Sequence, residues 1–177
     1  MSVHTKILAG TVATVLLHAA IALATSSETF FYVMVGSSQP LFGGSVDTKA
    51  IYDDVEIYYR YATQALMGQI PYRDYVIEYP LLAFPLFFLP RVFVEDFEGY
   101  TWAFGAEMLL FDAAAVYLVA RWVARREGLA RVPGRLAWYS VCVLAFGSLI
   151  VARFDFAPTF LALAATLAWA SGQNLRG

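Results

Sequence analysis

The chain has 177 residues, of which 60% are hydrophobic, 16% aromatic and 15% charged, with net charge −2 and an isoelectric point near 5.6. Soluble domains average about 25% charged and about 45–50% apolar residues, so a soluble enzyme, a disordered tail and a disulfide-stapled secreted domain are excluded together. The acidic balance offers no basic surface to nucleic acid, and the single Cys142 allows neither a disulfide framework nor a thiolate metal cluster.

Lys6 and His4 precede an apolar stretch from Ile7 to Ala24. A signal-peptide core is usually about 7–15 residues, so this longer stretch reads as a first transmembrane helix with its N-terminus in the cytoplasm. His18, mid-span, is expected to face protein or a water pocket. Beyond it, Phe30 to Val35 is an apolar patch, and Gly36-Ser37-Ser38-Gln39-Pro40 with Gly43-Gly44 punctuates a loop. Asp53 to Gly68 reads as a helix: Ile57, Tyr58, Tyr61, Ala62, Ala65 and Leu66 recur at helical spacing, and Asp53 or Asp54 is placed to cap it. Its apolar face carries tyrosines, which favour headgroup level, so it is expected to lie in the interface plane. Gly68 ends it, and Pro71-Tyr72 starts the return to the membrane.

Pro80 to Val94 is apolar, short and interrupted by Pro80, Pro85 and Pro90, either a kinked span or a segment that enters and turns back. Glu95, Asp96, Glu98 and Gly99 form an acidic turn. Tyr100 to Val123 is a second full-length span containing Glu107 and Asp112. Arg121 to Arg135 reads as a loop with five arginines against Glu127, and Leu136–Val151 and Phe156–Ala170 as two further spans joined at Ala152-Arg153-Phe154-Asp155. The prediction is an all-α, polytopic transmembrane helix bundle of four or five spans in the cell membrane. It is a single membrane domain over residues 1–177, with the interfacial helix in a long extracytoplasmic first loop over residues 25–79. Basic short loops stay in the cytoplasm. That puts the arginine loop inside and the 152–155 hinge outside, provided 80–94 does not fully cross; if it crosses, the two exchange sides.

Charge concentrates in the first loop: Asp47, Asp53, Asp54, Glu56, Asp74 and Glu78 against Lys49, Arg60 and Arg73. A solvated loop carries such charges without function. Two placements count against that reading: Asp53-Asp54 opens a helix at the membrane surface, and Glu78-Tyr79-Pro80 sits where the chain dips back in. A carboxylate beside a low-dielectric wall binds its proton more tightly, which suits a general base. Glu107 and Asp112 are acids within a span, and both are read as bonding neighbouring helices. No phosphate-binding glycine loop, nucleophile elbow or paired His/Cys set is present.

The run Asp54-Val55-Glu56-Ile57-Tyr58-Tyr59-Arg60-Tyr61-Ala62, then Gly68 with Pro71-Tyr72, then Glu78-Tyr79-Pro80, resembles the first extracytoplasmic loop of GT-C fold glycosyltransferases. It is most similar to the polyprenyl-phosphate-mannose-dependent mannosyltransferases. Arg153-Phe154-Asp155 with Pro158 resembles a later Arg-aromatic-Asp motif of that family, whereas Leu81 stands where a second proline is common. The resemblance implies an inverting transfer of a hexose from a polyprenyl-phosphate-linked donor to a hydroxyl of a lipid or glycan acceptor, among membrane lipids, with no nucleotide sugar. With no second histidine beside His4 or His18 to share a metal, no metal or cofactor is expected. The resemblance also implies Asp54 as general base, with Asp53 the alternative, and Tyr58, Glu78, Tyr79, Arg153 and Asp155 in substrate binding, Arg153 on the lipid phosphate. Family members have several more spans, so the chain reads as the N-terminal part of a longer module. The competing readings are a transporter or channel subunit, with Glu107, Asp112 and Arg153 lining a pathway, and a non-catalytic membrane scaffold.

Overall fold

The computed structural model describes residues 2–25 and 49–171, giving only the backbone for 49–53. The apolar patch and glycine-rich turn expected between 26 and 48 lie outside the described residues. Those described are helical, without a named strand: α1 (Val3–Thr25), α2 (Lys49–Leu66), α3 (Phe84–Phe93), α4 (Phe97–Arg126), α5 (Val132–Phe146), α6 (Leu149–Ala152) and α7 (Phe156–Ala170). Short 3-10 turns at Leu81–Ala83 and Leu129–Arg131 lead into α3 and α5.

Helix α4 is the axis of the bundle, and every other helix packs against it. At 30 residues it is about 45 Å long. Asp96 starts it, accepting a hydrogen bond from the Gly99 amide at 2.8 Å, while Arg125 and Arg126 sit at the negative end of its dipole. The acidic turn read from the sequence is thus an N-cap. Near that end, Tyr100, Phe104 and Met108 pack with Tyr58 of α2 and Phe87 of α3; near the other, Val116, Ala120 and Val123 pack with Ile7 and Leu136.

Helices α1 and α4 are long and apolar enough to cross a membrane. The remaining expected spans are shorter. Helix α3 has ten residues, about 15 Å, half of a hydrocarbon core of about 30 Å. Helix α5 stops at Phe146 because Gly147 takes a φ of 55°, so the stretch read as one span to Val151 is a 15-residue helix, a glycine break and the short α6. Two further expectations are corrected. Helix α2 begins at Lys49, so Asp53 and Asp54 lie inside it and neither is its cap. The arginine loop is mostly helix: Arg121, Arg125 and Arg126 belong to α4 and Arg135 to α5, leaving a connection from Glu127 to Arg131.

Between the two apolar clusters, a polar network joins α1, α4 and α5. Asp112 Oδ2 meets His18 Nδ1 at 2.6 Å, Asp112 Oδ1 accepts from Tyr139 Oη at 2.8 Å, and His18 Nε2 meets Ser140 Oγ at 2.9 Å. Ser140 donates to the Leu136 carbonyl at 3.0 Å, so His18 Nε2 is the donor to Ser140. One further proton then lies between His18 Nδ1 and Asp112. His18, Asp112 and Ser140 are buried, and every polar atom of the group has a partner.

Candidate functional site

Asp54 stands on the second turn of α2, one turn before Tyr58. The buried positions Val55, Tyr58, Tyr61 and Ala62 recur at i, i+3, i+6 and i+7, a spacing that turns one stripe of a helix inward. Asp54 borders that stripe and is held at the edge of the core, its side chain 17% exposed. After Leu66, Gly68 adopts φ +83° and ends the helix.

The chain from 67 to 80 is tied back onto α2. Asp74 accepts the Ile70 amide at 2.7 Å and both Arg73 nitrogens at 2.8 Å, and the Tyr75 hydroxyl donates to the Tyr61 carbonyl at 2.9 Å. Those bonds hold the Asp74 carboxyl below the usual carboxylate range, the Arg73 guanidinium contributing most. Tyr72 sits at φ 64°, a region costly to a bulky side chain, and its hydroxyl donates to the Tyr79 carbonyl. The turn thereby delivers Tyr79 to Asp54: Tyr79 Oη donates to Asp54 Oδ1 at 3.2 Å.

The other Asp54 oxygen, Oδ2, pairs with Nη1 of Arg153, which follows α6 in an extended conformation. Asp155 lies 3.6 Å from Arg153 Nε, so the guanidinium is flanked by two carboxylates. Arg153 is 48% exposed. Asp54 Oδ2 is buried, so the pair is open on the arginine side alone, and an incoming anion reaches the guanidinium from there.

Aromatic rings floor the pair. Tyr58 is fully buried and stacks on Phe87, centroids 4.1 Å apart and planes within 3°. Phe154, next to Arg153, meets Tyr79 and Phe87 edge-on at 5.4 and 5.7 Å. The Tyr58 hydroxyl is buried without a well-formed hydrogen bond. Burial pushes its proton affinity up, Tyr79 and Asp54 add to that, and Arg153 opposes it. Tyr79 is also raised, chiefly by burial. Both phenols are therefore neutral donors near neutral pH.

The structure thus brings together Asp54, Tyr58, Tyr79, Arg153 and Asp155 from the sequence-derived set. Tyr58 joins them as a core ring that presents only its hydroxyl. Glu78 is exposed and forms no hydrogen bond or ion pair among the described residues, and the Asp53 side chain lies outside them. Sequence reasoning missed Phe87 and Phe154 as the floor and Arg91 as a clamp. Arg91 donates to Thr63 Oγ1 at 3.0 Å and to the Val94 carbonyl at 2.6 Å, and its guanidinium lies over the Tyr59 ring, fastening α3 to α2. An arginine directly after Pro90 in an apolar run was its only signal. Among the described residues, no group of three His, Cys, Asp or Glu side chains is arranged to hold a metal ion.

No protein-family model matches the chain, and neither the curated proteins nor the solved structures searched contain a match.

Proposed function

We propose that the chain is a multi-pass cell-membrane protein that carries the base and donor-phosphate groups of an inverting glycosyltransferase. It moves a hexose, mannose by the resemblance, from a polyprenyl-phosphate-linked donor to a hydroxyl of a lipid or glycan acceptor on the extracytoplasmic face. One observation carries the reading: Asp54 and Arg153, selected from two motifs far apart in the sequence, meet in an ion pair over an aromatic floor. The same pair supports a topology. It needs the first loop and the 152–155 hinge on one side, which favours the arrangement in which 80–94 enters without crossing and the arginines stay in the cytoplasm. The count of four or five spans, with α2 in the interface plane, belongs to the same proposal.

In this mechanism, the donor phosphate takes Arg153 by charge-assisted hydrogen bonds and frees Asp54 Oδ2. The acceptor hydroxyl gives its proton to that oxygen as its own oxygen bonds to the anomeric carbon from the face opposite the phosphate. The carbon–oxygen bond to phosphate breaks, and polyprenyl phosphate leaves with its charge held by Arg153. Tyr79 keeps Asp54 oriented through Oδ1. The runner-up, a transporter, would draw on Glu107, Asp112 and Arg153. Both Asp112 oxygens are engaged by neighbouring helices and Arg153 pairs with Asp54, whereas Glu107, read from the sequence as bonding a neighbouring helix, keeps a buried Oε2 without a hydrogen-bond partner among the described residues.

The test is transfer from polyprenyl-phosphate-mannose in membranes expressing the protein. Asp54→Asn is expected to cut the rate about 10²–10⁴-fold, the usual worth of a general base, and Asp53→Asn to leave it near the parent's. Arg153→Ala is expected to lose transfer, and Arg153→Lys to recover part, since lysine keeps the charge without the fork. Parent-like transfer by Asp54→Asn, or none by parent membranes, overturns the assignment.

A further inference from the structure

The connection between α4 and α5 encloses an open cavity of about 630 Å³ lined by Glu127, Arg131, Gly134, Arg135 and Trp138. It lies at the far end of α4 from the Asp54 cluster: Tyr100 and Arg126 are about 39 Å apart along that helix. Both Arg135 nitrogens rest on one Glu127 oxygen, at 2.9 and 3.2 Å. Arg131 is exposed, and its side chain forms no hydrogen bond or ion pair among the described residues. Two arginines against one carboxylate leave the cavity one positive charge in excess, with Arg121, Arg125 and Arg126 on the adjoining turns of α4.

What the cavity opens onto decides its ligand. Gly134 and Arg135, Trp138 and Val141 recur every three or four residues, so they share one side of α5, and Arg131, its N-cap, precedes Gly134 by the same interval. Trp138 is 70% exposed and Val141 more than half exposed. The order along this stripe is cationic, aromatic, apolar. A phospholipid presents the matching order of phosphate, glycerol backbone and acyl chain, and tryptophan favours the level between the last two. A free phosphate has no use for the lower half. Basic pockets on the cytoplasmic side of membrane helices suit anionic headgroups.

We propose that this cavity is a binding site for an anionic phospholipid, Arg131 and Arg135 on its phosphate and an acyl chain along Trp138 and Val141. It rests on the membrane reading above and is independent of the transfer chemistry. Glu127 serves by holding the Arg135 guanidinium in place, and a headgroup of charge −1 matches the excess positive charge.

The experiment measures equilibrium binding of dioctanoyl phosphatidylglycerol, dioctanoyl phosphatidylcholine and inorganic phosphate to the full chain in a neutral detergent. Phosphatidylglycerol is expected to saturate one site, the other two binding at least about tenfold more weakly. Arg131→Glu reverses one charge and is expected to weaken phosphatidylglycerol about thirtyfold, from roughly fivefold per charge. Gly134→Leu keeps every charge; a Cβ at Gly134 meets nothing within 4 Å, so the side chain occupies the cavity without strain. It is expected to weaken binding about as much. Equal binding of phosphatidylcholine or inorganic phosphate, or parent-like binding by either variant, overturns the site. Failure of the parent to insert into phosphatidylcholine vesicles overturns the membrane reading instead.

Discussion

Asp112→Leu is the perturbation that most directly probes what holds α1, α4 and α5 together. Leucine keeps the branching of aspartate but carries methyls in place of oxygens, so it is bulkier and some overpacking adds to the effect, and two groups, Tyr139 Oη and His18 Nδ1, lose their hydrogen-bond partner. Each stranded polar group costs about 1–3 kcal/mol, giving roughly 2–6 kcal/mol together. Interhelical hydrogen bonds in membranes average nearer 0.6 kcal/mol, because helices separated in the bilayer find other partners, which sets a floor of about 1.2 kcal/mol for two. Asp112→Asn separates the charge from the bonds. Its oxygen still accepts from Tyr139, and its amide donates to an unprotonated His18 Nδ1 while Nε2–H goes on serving Ser140. It is expected to cost under about 1 kcal/mol. The assay is reversible unfolding in mixed micelles titrated with denaturing detergent, and His18→Leu/Asp112→Leu, which strands only Tyr139, is expected to be more stable than Asp112→Leu alone. If leucine and asparagine at 112 cost the same within about 0.5 kcal/mol, the hydrogen bonds are not what holds these helices.

Two further outcomes follow from other parts of the chain. With Cys142→Ser removing the exposed native thiol, Val76→Cys is expected to react with an impermeant maleimide in intact cells and Ala130→Cys only after lysis; the reverse pattern refutes the proposed orientation. The Asp96 carboxyl is held below its usual range chiefly by the Gly99 amide, so its contribution to stability is present above the unfolded carboxylate value near 3.9 and lost as pH falls through the lower folded value. Exchange of the Gly99 amide is therefore expected to accelerate below about pH 4 relative to Asp96→Asn, and identical profiles would show that the carboxylate is not the cap.

Individual residues were more legible than their meetings. Asp54, Tyr79 and Arg153 each stood out by type and neighbourhood, as did His18 and Asp112 as polar groups in apolar runs. Pairing them needs the relative rotation of helices, which one sequence does not encode in any local pattern. The misreadings were local. The arginines after Val119 looked like a loop because they are charged and followed by Gly128, yet arginine is a good helix former and α4 continues through them. Gly147 looked tolerable within an apolar run, and its positive φ ended α5. The helix expected at Asp53 starts at Lys49, because the sequence signal marks where the apolar stripe begins and an amphipathic helix can precede it with polar residues.

The two paired carboxylates separate stability from reactivity. Asp112 is buried with its partner, so breaking that pair leaves an unmatched polar group inside the bundle, the case in which removing one member is costly. Asp54 is paired with a half-exposed arginine, whose guanidinium a ligand can reach from outside the bundle. A fold held mainly by an Asp54-type contact would be weakened each time a ligand opened it. Here the helices carrying the two sides of that contact are fixed elsewhere: α2 through Tyr58, Phe87 and the Arg91 clamp, α6 through Ile150 and Ala152. The Asp54–Arg153 contact is thus free to exchange partners without loosening the frame that positions it, as the proposed base and phosphate-binding groups must.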